Sequence, residues 1–477
     1  MVYQPVIGLE IHVELLTKSK LFCGCSNMFA MAQNTNICPV CIGLPGSLPV
    51  VNQEAVYQLL RTAIALNLEI PEKSKFDRKN YFYPDMPKNF QISQYDMPFA
   101  KKGFMEIETD SGAKKIGITR IHLEEDTGKS VHKGTIDKSE YTYLDYNRSG
   151  IPLMEIVTEP DIASAKEASV FLNKLRKILL WIGVSDCKME EGSLRCDANV
   201  SVSADLKLNT KVEIKNMNSF RSVQKALEFE IKRQTECYKK GENIIQETRG
   251  WDEEKEITIS MRSKEEAHDY RYFFEPDLTQ VTVNTETVNE LKNKLPELPD
   301  YMKKRFVESY GLKINQAEVL TSQRSLADFF ERTLKMTGQP EQTANWLCQD
   351  ILGYLNKNNL KLSQTKLTPD ILSRLIQFVN EKKISSGQGK MLLADCFEGK
   401  DPEILIKEKN MILINGKDEL LSLIKTVINE NTEVVSDLKK GEEKKLMFLI
   451  GQIMKKTSGK ADPKSAKEIL LKEIEKT

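Results

Sequence analysis

No apolar run in the sequence approaches the roughly 18 to 20 residues that a membrane-spanning helix requires. Charge of one sign is also lacking, because 69 basic and 69 acidic residues cancel. No global field therefore draws the chain to nucleic acid, and any such contact must come from local patches. The opening MVYQPVIGLE turns almost at once into strand-like sequence, which gives no expectation of a signal or transit peptide. There is no H-E-x-x-H, no G-x-S-x-G and no paired nucleotide-binding glycine motif, and only four histidines occur. These absences set aside zincin-type hydrolysis, the nucleophile elbow and the dinucleotide fold. The nearest thing to a phosphate loop is IHLEEDTGKS at 121–130. Its Gly128, Lys129 and Ser130 would need a glycine at position 123, where the chain has Leu, so its backbone cannot wrap phosphates as a P-loop does. That stretch carries instead an acidic triplet, Glu124, Glu125 and Asp126.

A length of 477 residues suggests two to four domains and affords a sizeable core. Up to about residue 290, two-residue alternation recurs, as in half-buried antiparallel strands. Beyond LPELPD (295–300) the pattern changes to three- and four-residue spacing, in SLADFFERTLKM, TANWLCQDILGYLN and TPDILSRLIQFVNEKK. These are amphipathic helices. A second boundary is expected near EGKDPEILIKEKN (398–410), followed by a Lys-rich helical tail. The expectation is an α+β chain: an antiparallel-sheet domain at 1–294, a helical domain at 295–405 and a small helical tail domain at 406–477. No fixed-period repeat and no low-complexity segment interrupts it.

Three strands present polar faces of unusual composition. In VIGLEIHVELL, Ile7, Leu9, Ile11, Val13 and Leu15 alternate with Glu10, His12 and Glu14, so Glu10 and His12 project together away from the core. In SLRCDANVSV the apolar face is Leu194, Cys196, Ala198, Val200 and Val202, and the other holds Arg195, Asp197, Asn199 and Ser201. KVEIK repeats the pattern with Lys211, Glu213 and Lys215. Any one such face is most simply a solvated surface. Several together describe a charged sheet surface, where carboxylates with an imidazole suit Mg²⁺ or Mn²⁺ and interleaved Arg and Lys suit phosphates. Glu125 is expected to meet Glu10 and His12 across that sheet.

Nine cysteines, an odd number, point to reduced thiols and so to the cytoplasm. FCGCS and NICPVC place Cys23, Cys25, Cys38 and Cys41 as a C-x-C and a C-x-x-C with 12 residues between them, a spacing that suits a tetrahedral structural zinc with no open position. The bland alternative is a set of incidental thiols. Cys187, Cys196, Cys237, Cys348 and Cys396 lack paired spacing and read as packing residues. His122 and His132 stay unassigned, and His268, beside Asp269, Tyr270, Arg271 and Tyr272, suits a ligand contact or a packed corner equally. Ser385 and Ser386 read as a helix cap.

Taken in order, VIGLEIHVEL, TKSKLFCGCS, CPVCIGLPGSLPVVN, KNYFYPDMPKNFQISQYDMP, HLEEDTGKS, LDYNRSGIPLMEIVTEPD, MEEGSLRCDANVSV, KVEIKNMNSFRSV, HDYRYFFEPDL and FLIGQIMKKTSGKADP resemble the B subunit of the tRNA-dependent amidotransferases, the GatB family, over essentially the whole chain. The resemblance implies an ATP-dependent carbon–nitrogen ligase working in a heterotrimer with an amidase partner and a small third subunit. It implies ATP, Mg²⁺ and, in members bearing the cysteine quartet, an architectural Zn²⁺. The implied substrates are Glu-tRNA(Gln) and Asp-tRNA(Asn), whose side-chain carboxylate is phosphorylated and then amidated. Carried over by position, Glu10, His12 and Glu125 are metal candidates, with Glu124 and Glu213 behind them. Lys79, Arg195 and Lys215 are candidates for phosphates or the substrate carboxylate, and Asp197 for holding metal or orienting a base. The tail is expected to reach tRNA, with Lys455, Lys456, Lys460 and Lys464 able to touch phosphates. Phe274 stands where the family leads one to expect proline, which bears on loop rigidity. The related archaeal E subunit has an inserted synthetase-like domain, for which this chain has no room. A non-catalytic zinc-containing tRNA scaffold is the alternative.

Overall fold

The computed structural model describes residues 3–28, 31–132, 141–204, 208–263, 270–411, 417–439, 444–457, 461 and 463–476. The chain divides into two compact units, Met1–Leu298 and Pro299–Thr477.

The first unit is built on an eight-stranded sheet whose centre is the strand Gln4–Glu14. On one side it pairs antiparallel with Leu194–Ser203, and beyond that lie Val212–Lys215, Glu247–Asp252 and Ile257–Ser263. On the other side come Pro152–Thr158, Gly112–Glu125 and Ala100–Thr109, all antiparallel. One pair departs from the expected pattern: Val212–Lys215 runs parallel to Glu247–Asp252. The chain between them forms the helix Phe220–Lys239, and a crossover of that length is what a parallel pair needs. The sheet is therefore mixed, though mostly antiparallel.

Alternation decides which face is covered. Ile7, Leu9, Ile11 and Val13, with Leu194, Cys196, Ala198 and Val200, are buried in one core with the helices Gln53–Ala65, Ala165–Ile182 and Phe220–Lys239. Each helix starts where a side chain satisfies its free amides: Asn52 accepts from Glu54 and Ala55, Ser164 from Glu167 and Ser219 from Ser222. The second helix stops at Gly183, whose φ of 69° is the left-handed cap that glycine adopts without penalty. Leu295 and Leu298 pack on the same core, and Trp181 Nε1 donates to the Glu297 carbonyl at 2.9 Å, which fastens the end of this unit. The polar face is left to do other work. A small sheet of Asp77–Asn80, Phe90–Ser93 and the edge strand Phe273–Phe274 stands beside it.

The second unit is helical. Ser385 caps the helix Ser386–Phe397 in a reciprocal capping box with Gln388, as the sequence suggested. Its last part packs the helices Lys417–Glu430, Lys444–Lys456 and Pro463–Lys476 around Ile424, Val427, Leu449, Ile453 and Leu470. Among the tail lysines, Lys456 is paired with Glu430 and Lys455 is exposed. Lys460 and the Lys464 side chain lie outside the described residues. No helix among the described residues is long and apolar enough to cross a membrane.

Candidate active site and metal-ligating clusters

Register alone assembles a row of charge across the polar face. Arg195 lies opposite His12, His12 opposite Glu155, and Glu155 opposite His122. Cross-strand neighbours on one face lie within side-chain reach, and here they touch. His12 Nε2 lies 3.4 Å from Glu155 Oε2 and 3.8 Å from Glu124 Oε1. His122 Nε2 lies 3.2 Å from Glu155 Oε2 and 3.7 Å from Glu124 Oε2. Ser93 Oγ donates to Glu124 at 3.0 Å from the small sheet. Two imidazoles and two carboxylates thus interlock, and Glu124, Glu155 and His122 are buried. Burial pulls the His122 pKa down, but the charges and hydrogen bonds of Glu155 and Glu124 prevail and hold it up at about 9. His12 is raised by the same competition. Burial pushes both carboxylates up, and the histidines outweigh it: Glu155 lies well below its ordinary value and Glu124 is lowered.

Each predicted site residue has a definite place. Glu124, not Glu125, meets His12. The reason is the two-residue period of a strand: His122 and Glu124 share a face, while Glu125 turns the other way along the pleat. Lys88 pairs with its carboxylate, and the Ile92 N–H donates to it at 2.9 Å. Glu10 shares a face with His12 but sits one row along, opposite Asp197, where Asn199 Nδ2 donates to it at 3.0 Å. Asp197 is taken by Lys215 Nζ at 2.5 Å, which also lies 3.2 Å from Glu213. Thr248 Oγ1 donates to Glu213 at 2.8 Å. Arg195 reaches Asp126 at 2.6 Å, and Arg148 approaches the same carboxylate at 3.5 Å. Lys79 projects from the small sheet with its ammonium 4.8 Å from the Tyr270 ring centre. Burial disfavours its charge, but Glu124 outweighs that and raises its pKa. Glu14, pressed by burial and by the Asp126 charge, has its pKa pushed up to about 7.

Sequence reasoning missed Glu155 and His122. The signal for Glu155 was a single carboxylate inside the apolar strand PLMEIVT, and for His122 its shared parity with Glu124 in IHLEE. The amide of Gly128 donates to the Asp85 carbonyl at 2.8 Å, so the Gly-Lys-Ser stretch offers no anion cradle at that position. Phe274 occupies an edge strand, where a proline is also tolerated. The following residue, Glu275, is fixed by Arg78 at 2.7 and 2.8 Å. His268 and Asp269 lie outside the described residues, as does the His132 side chain.

The donor set fits a hard divalent cation. One ligand atom each from His12, Glu124 and Glu155 lies within 4.8 Å of the others, and His122 Nδ1 is buried with no hydrogen-bond partner among the described residues. Carboxylate-rich sets of this kind suit Mg²⁺ or Mn²⁺.

The second cluster is the cysteine lobe. Cys23, Cys25, Cys38 and Cys41 bring one sulfur each within 4.8 Å of the others. Hydrogen bonding from Cys23, opposed by burial and helped by the Cys38 amide and the Lys20 charge, pulls Cys41 down to about 5. Burial and the neighbouring thiols push Cys25 up to about 11. Four sulfurs gathered in this way are the donor set of a closed tetrahedral zinc site. Cys187, Cys196 and Cys396 are buried packing residues.

Residues 5–289 match the family profile described as the GatB/GatE catalytic domain, and 328–474 match the GatB domain. The chain belongs to the GatB family. It is 50% identical over 477 residues to the aspartyl/glutamyl-tRNA(Asn/Gln) amidotransferase B subunit of Carboxydothermus hydrogenoformans, covering 99% of each chain. It is 50% identical over 479 residues to the protein of that name from Caldanaerobacter subterraneus subsp. tengcongensis, and 48% over 480 residues to that from Thermotoga maritima, in both cases covering 100% of each chain. The GatB/GatE catalytic match contains the whole polar face and the cysteine lobe.

Proposed function

We propose that this chain is the kinase and amidation subunit of a cytoplasmic tRNA-dependent amidotransferase, a carbon–nitrogen ligase. Its partners are an amidase and a small third subunit, and its substrates are Glu-tRNA(Gln), Asp-tRNA(Asn) or both, with ATP. The observation that carries this reading is the convergence of His12, Glu124 and Glu155, with Lys79, Arg195 and Lys215 on and around the same polar face.

The chemistry follows from what a carboxylate lacks. It is a poor electrophile until one oxygen becomes a leaving group. In the first step a side-chain carboxylate oxygen attacks the γ-phosphorus of ATP, a carboxyl O–P bond forms, and the bond to the β,γ-bridging oxygen breaks to release ADP. In the second, ammonia attacks the activated carbonyl carbon, the C–O bond to phosphate breaks, and the nitrogen loses a proton to leave the amide. Glu10, opposite Asp197 in the register, is the candidate acceptor of that proton. Phosphoryl transfer asks mainly for positioning and neutralised charge. Lys79, Arg195 and Lys215 supply fixed positive charge for phosphates and the substrate carboxylate. His12, Glu124 and Glu155 would hold Mg²⁺, which neutralises phosphate charge when bound. Zn²⁺ in the cysteine lobe would be architectural.

The test uses the chain co-purified with its partner proteins and given Glu-tRNA(Gln), ATP, Mg²⁺ and ammonium. Glutaminyl-tRNA and ADP are expected in equal amounts. His12→Ala is expected to abolish both while tRNA binding and glutamine hydrolysis survive. Full ATP-dependent amidation by that variant would make the chain a scaffold and place the reaction elsewhere.

A further inference from the structure

A short segment, residues 144–151, runs between the cysteine lobe and the charged face and is gripped from both sides. From the lobe, Asn34 donates its amide to Asp145 Oδ1 at 3.1 Å and its side-chain Nδ2 to the Leu144 carbonyl at 2.9 Å, and its Oδ1 accepts from the Tyr146 N–H at 2.8 Å. Two residues on, the Asn36 N–H donates to Asn147 Oδ1 at 2.9 Å, while Asn147 Nδ2 donates back to the Ala32 carbonyl at 2.6 Å. Ser149 Oγ donates to the carbonyl of Cys41 itself at 2.9 Å, and the Leu21 N–H donates to the Gly150 carbonyl at 2.8 Å. Gly150 lies in van der Waals reach of the lobe. Its φ is +86°, and a Cβ there would lie 3.4 Å from Cys41 Cβ and 3.5 Å from Lys20 Cδ.

From the other side the same segment holds the edge of the site. The Gly150 N–H donates to the Asp126 carbonyl at 2.9 Å, and the Asp126 N–H to the Ile151 carbonyl at 2.8 Å. Arg148 donates from Nε to the Thr127 carbonyl at 3.0 Å and from Nη2 to the Gly128 carbonyl at 2.8 Å. The Asp126 carboxylate, buried in this corner, receives Arg195 Nη2 at 2.6 Å. Arg195 is the register neighbour of His12.

We propose that the cysteine lobe is a positioning device for the site: through Asn34, Asn36 and the Cys41 carbonyl it fixes residues 144–151, and these set Arg148 and the Asp126–Arg195 pair beside His12. Asn147 and Ser149 are then positioning residues, acting through Arg148 and Asp126 and not on substrate. The physical logic is one of loop closure. Asn34 and Asn36 lie between the two cysteine pairs, and tying those pairs together shortens the free loop that must be ordered to make the grip. The inference rests on the functional reading above only for its effect on rate. Its structural half stands apart from that reading.

The experiment compares wild type, wild type after zinc chelation, Asn147→Ala and Asn147→Asp, all in the intact complex with the amidase and the small third subunit. Hydrogen exchange is followed at the amides of Asp126, Gly128 and Gly150, alongside zinc content and the amidation rate. Asn147→Ala is expected to keep its zinc, to exchange at least about tenfold faster at Asp126 and Gly150, and to lose roughly tenfold in kcat, in line with the penalty for misplacing a charged group. Asn147→Asp keeps the acceptor for Asn36 and is expected to recover part of both losses. Chelation is expected to reproduce the exchange change. Unchanged exchange at Asp126 in both the chelated protein and Asn147→Ala would overturn the proposal, and so would faster exchange with an undiminished rate. A wild-type complex that makes no product would defeat the functional reading instead, leaving the exchange result to decide the linkage.

Discussion

Glu155→Gln is expected to lower ATP-dependent amidation by on the order of 10²–10³-fold, the range seen when one preorganised charge is removed from the place where charge develops. The substitution keeps the volume of the side chain and removes the charge that both His12 and His122 face at 3.4 and 3.2 Å. It also removes a donor from the set that would hold the divalent cation, so the Mg²⁺ concentration giving half-maximal rate should rise. Glu125→Gln separates this effect from a general loss of acidity. Its carboxylate is buried against Lys88 and the Ile92 amide, so neutralising it leaves Lys88 without its counter-charge. That is expected to cost about 3 kcal/mol or more of stability, read as a lower urea midpoint, with the Mg²⁺ dependence of the surviving activity unchanged. Should Glu125→Gln shift the Mg²⁺ dependence and Glu155→Gln leave it alone, the metal assignment made from the register would be reversed.

Removal of metal from the cysteine lobe is the second large effect. The full chain should carry one zinc per molecule by elemental analysis. Cys25→Ser or prolonged chelation should lower the melting temperature of the first unit by roughly 3 °C, corresponding to about 2 kcal/mol lost in a unit of this size. Structural zinc sites supply folding free energy because the deprotonated ligands converge only in the folded state. The structure already shows that convergence, with the four sulfurs gathered together and Lys20 buried beside them, its Nζ donating to the Asn36 carbonyl at 2.9 Å. A protein that binds no zinc, or one whose melting is indifferent to chelation, would return the quartet to incidental thiols.

These two sites were legible in the sequence to different degrees, for a physical reason. Cysteine spacing is local, and FCGCS with NICPVC named all four sulfurs. Strand parity is also local, so the faces of VIGLEIHVELL and SLRCDANVSV were read correctly, and Ile7, Leu9, Cys196 and Ala198 are indeed inside. Which strands lie side by side is a long-range fact. The neighbour of His12 turned out to be Pro152–Thr158, whose Glu155 is one charge in a run of apolar residues, because both faces of that strand are largely covered. Glu124 and Glu125 are adjacent in sequence and face opposite ways, and only the register with Pro152–Thr158 shows which one meets His12. The parallel pair, Val212–Lys215 with Glu247–Asp252, was hidden for the same reason: the alternation in KVEIK marks a strand face but not the strand's partner or its direction.

The measurement that bears most directly on the function uses Glu-tRNA(Gln) labelled with ¹⁸O in the side-chain carboxylate, the complete complex, ATP, Mg²⁺ and ammonium, with the oxygen isotope followed into inorganic phosphate. If this chain phosphorylates the carboxylate, each phosphate released with glutaminyl-tRNA carries one ¹⁸O from the substrate, and a complex containing Glu155→Gln forms labelled phosphate at a correspondingly reduced rate while still hydrolysing glutamine. Phosphate free of label alongside normal product would mean that ATP is cleaved by water and the carboxylate is activated in another way. Undiminished labelling by Glu155→Gln would place the phosphorylation away from the His12, Glu124 and Glu155 face.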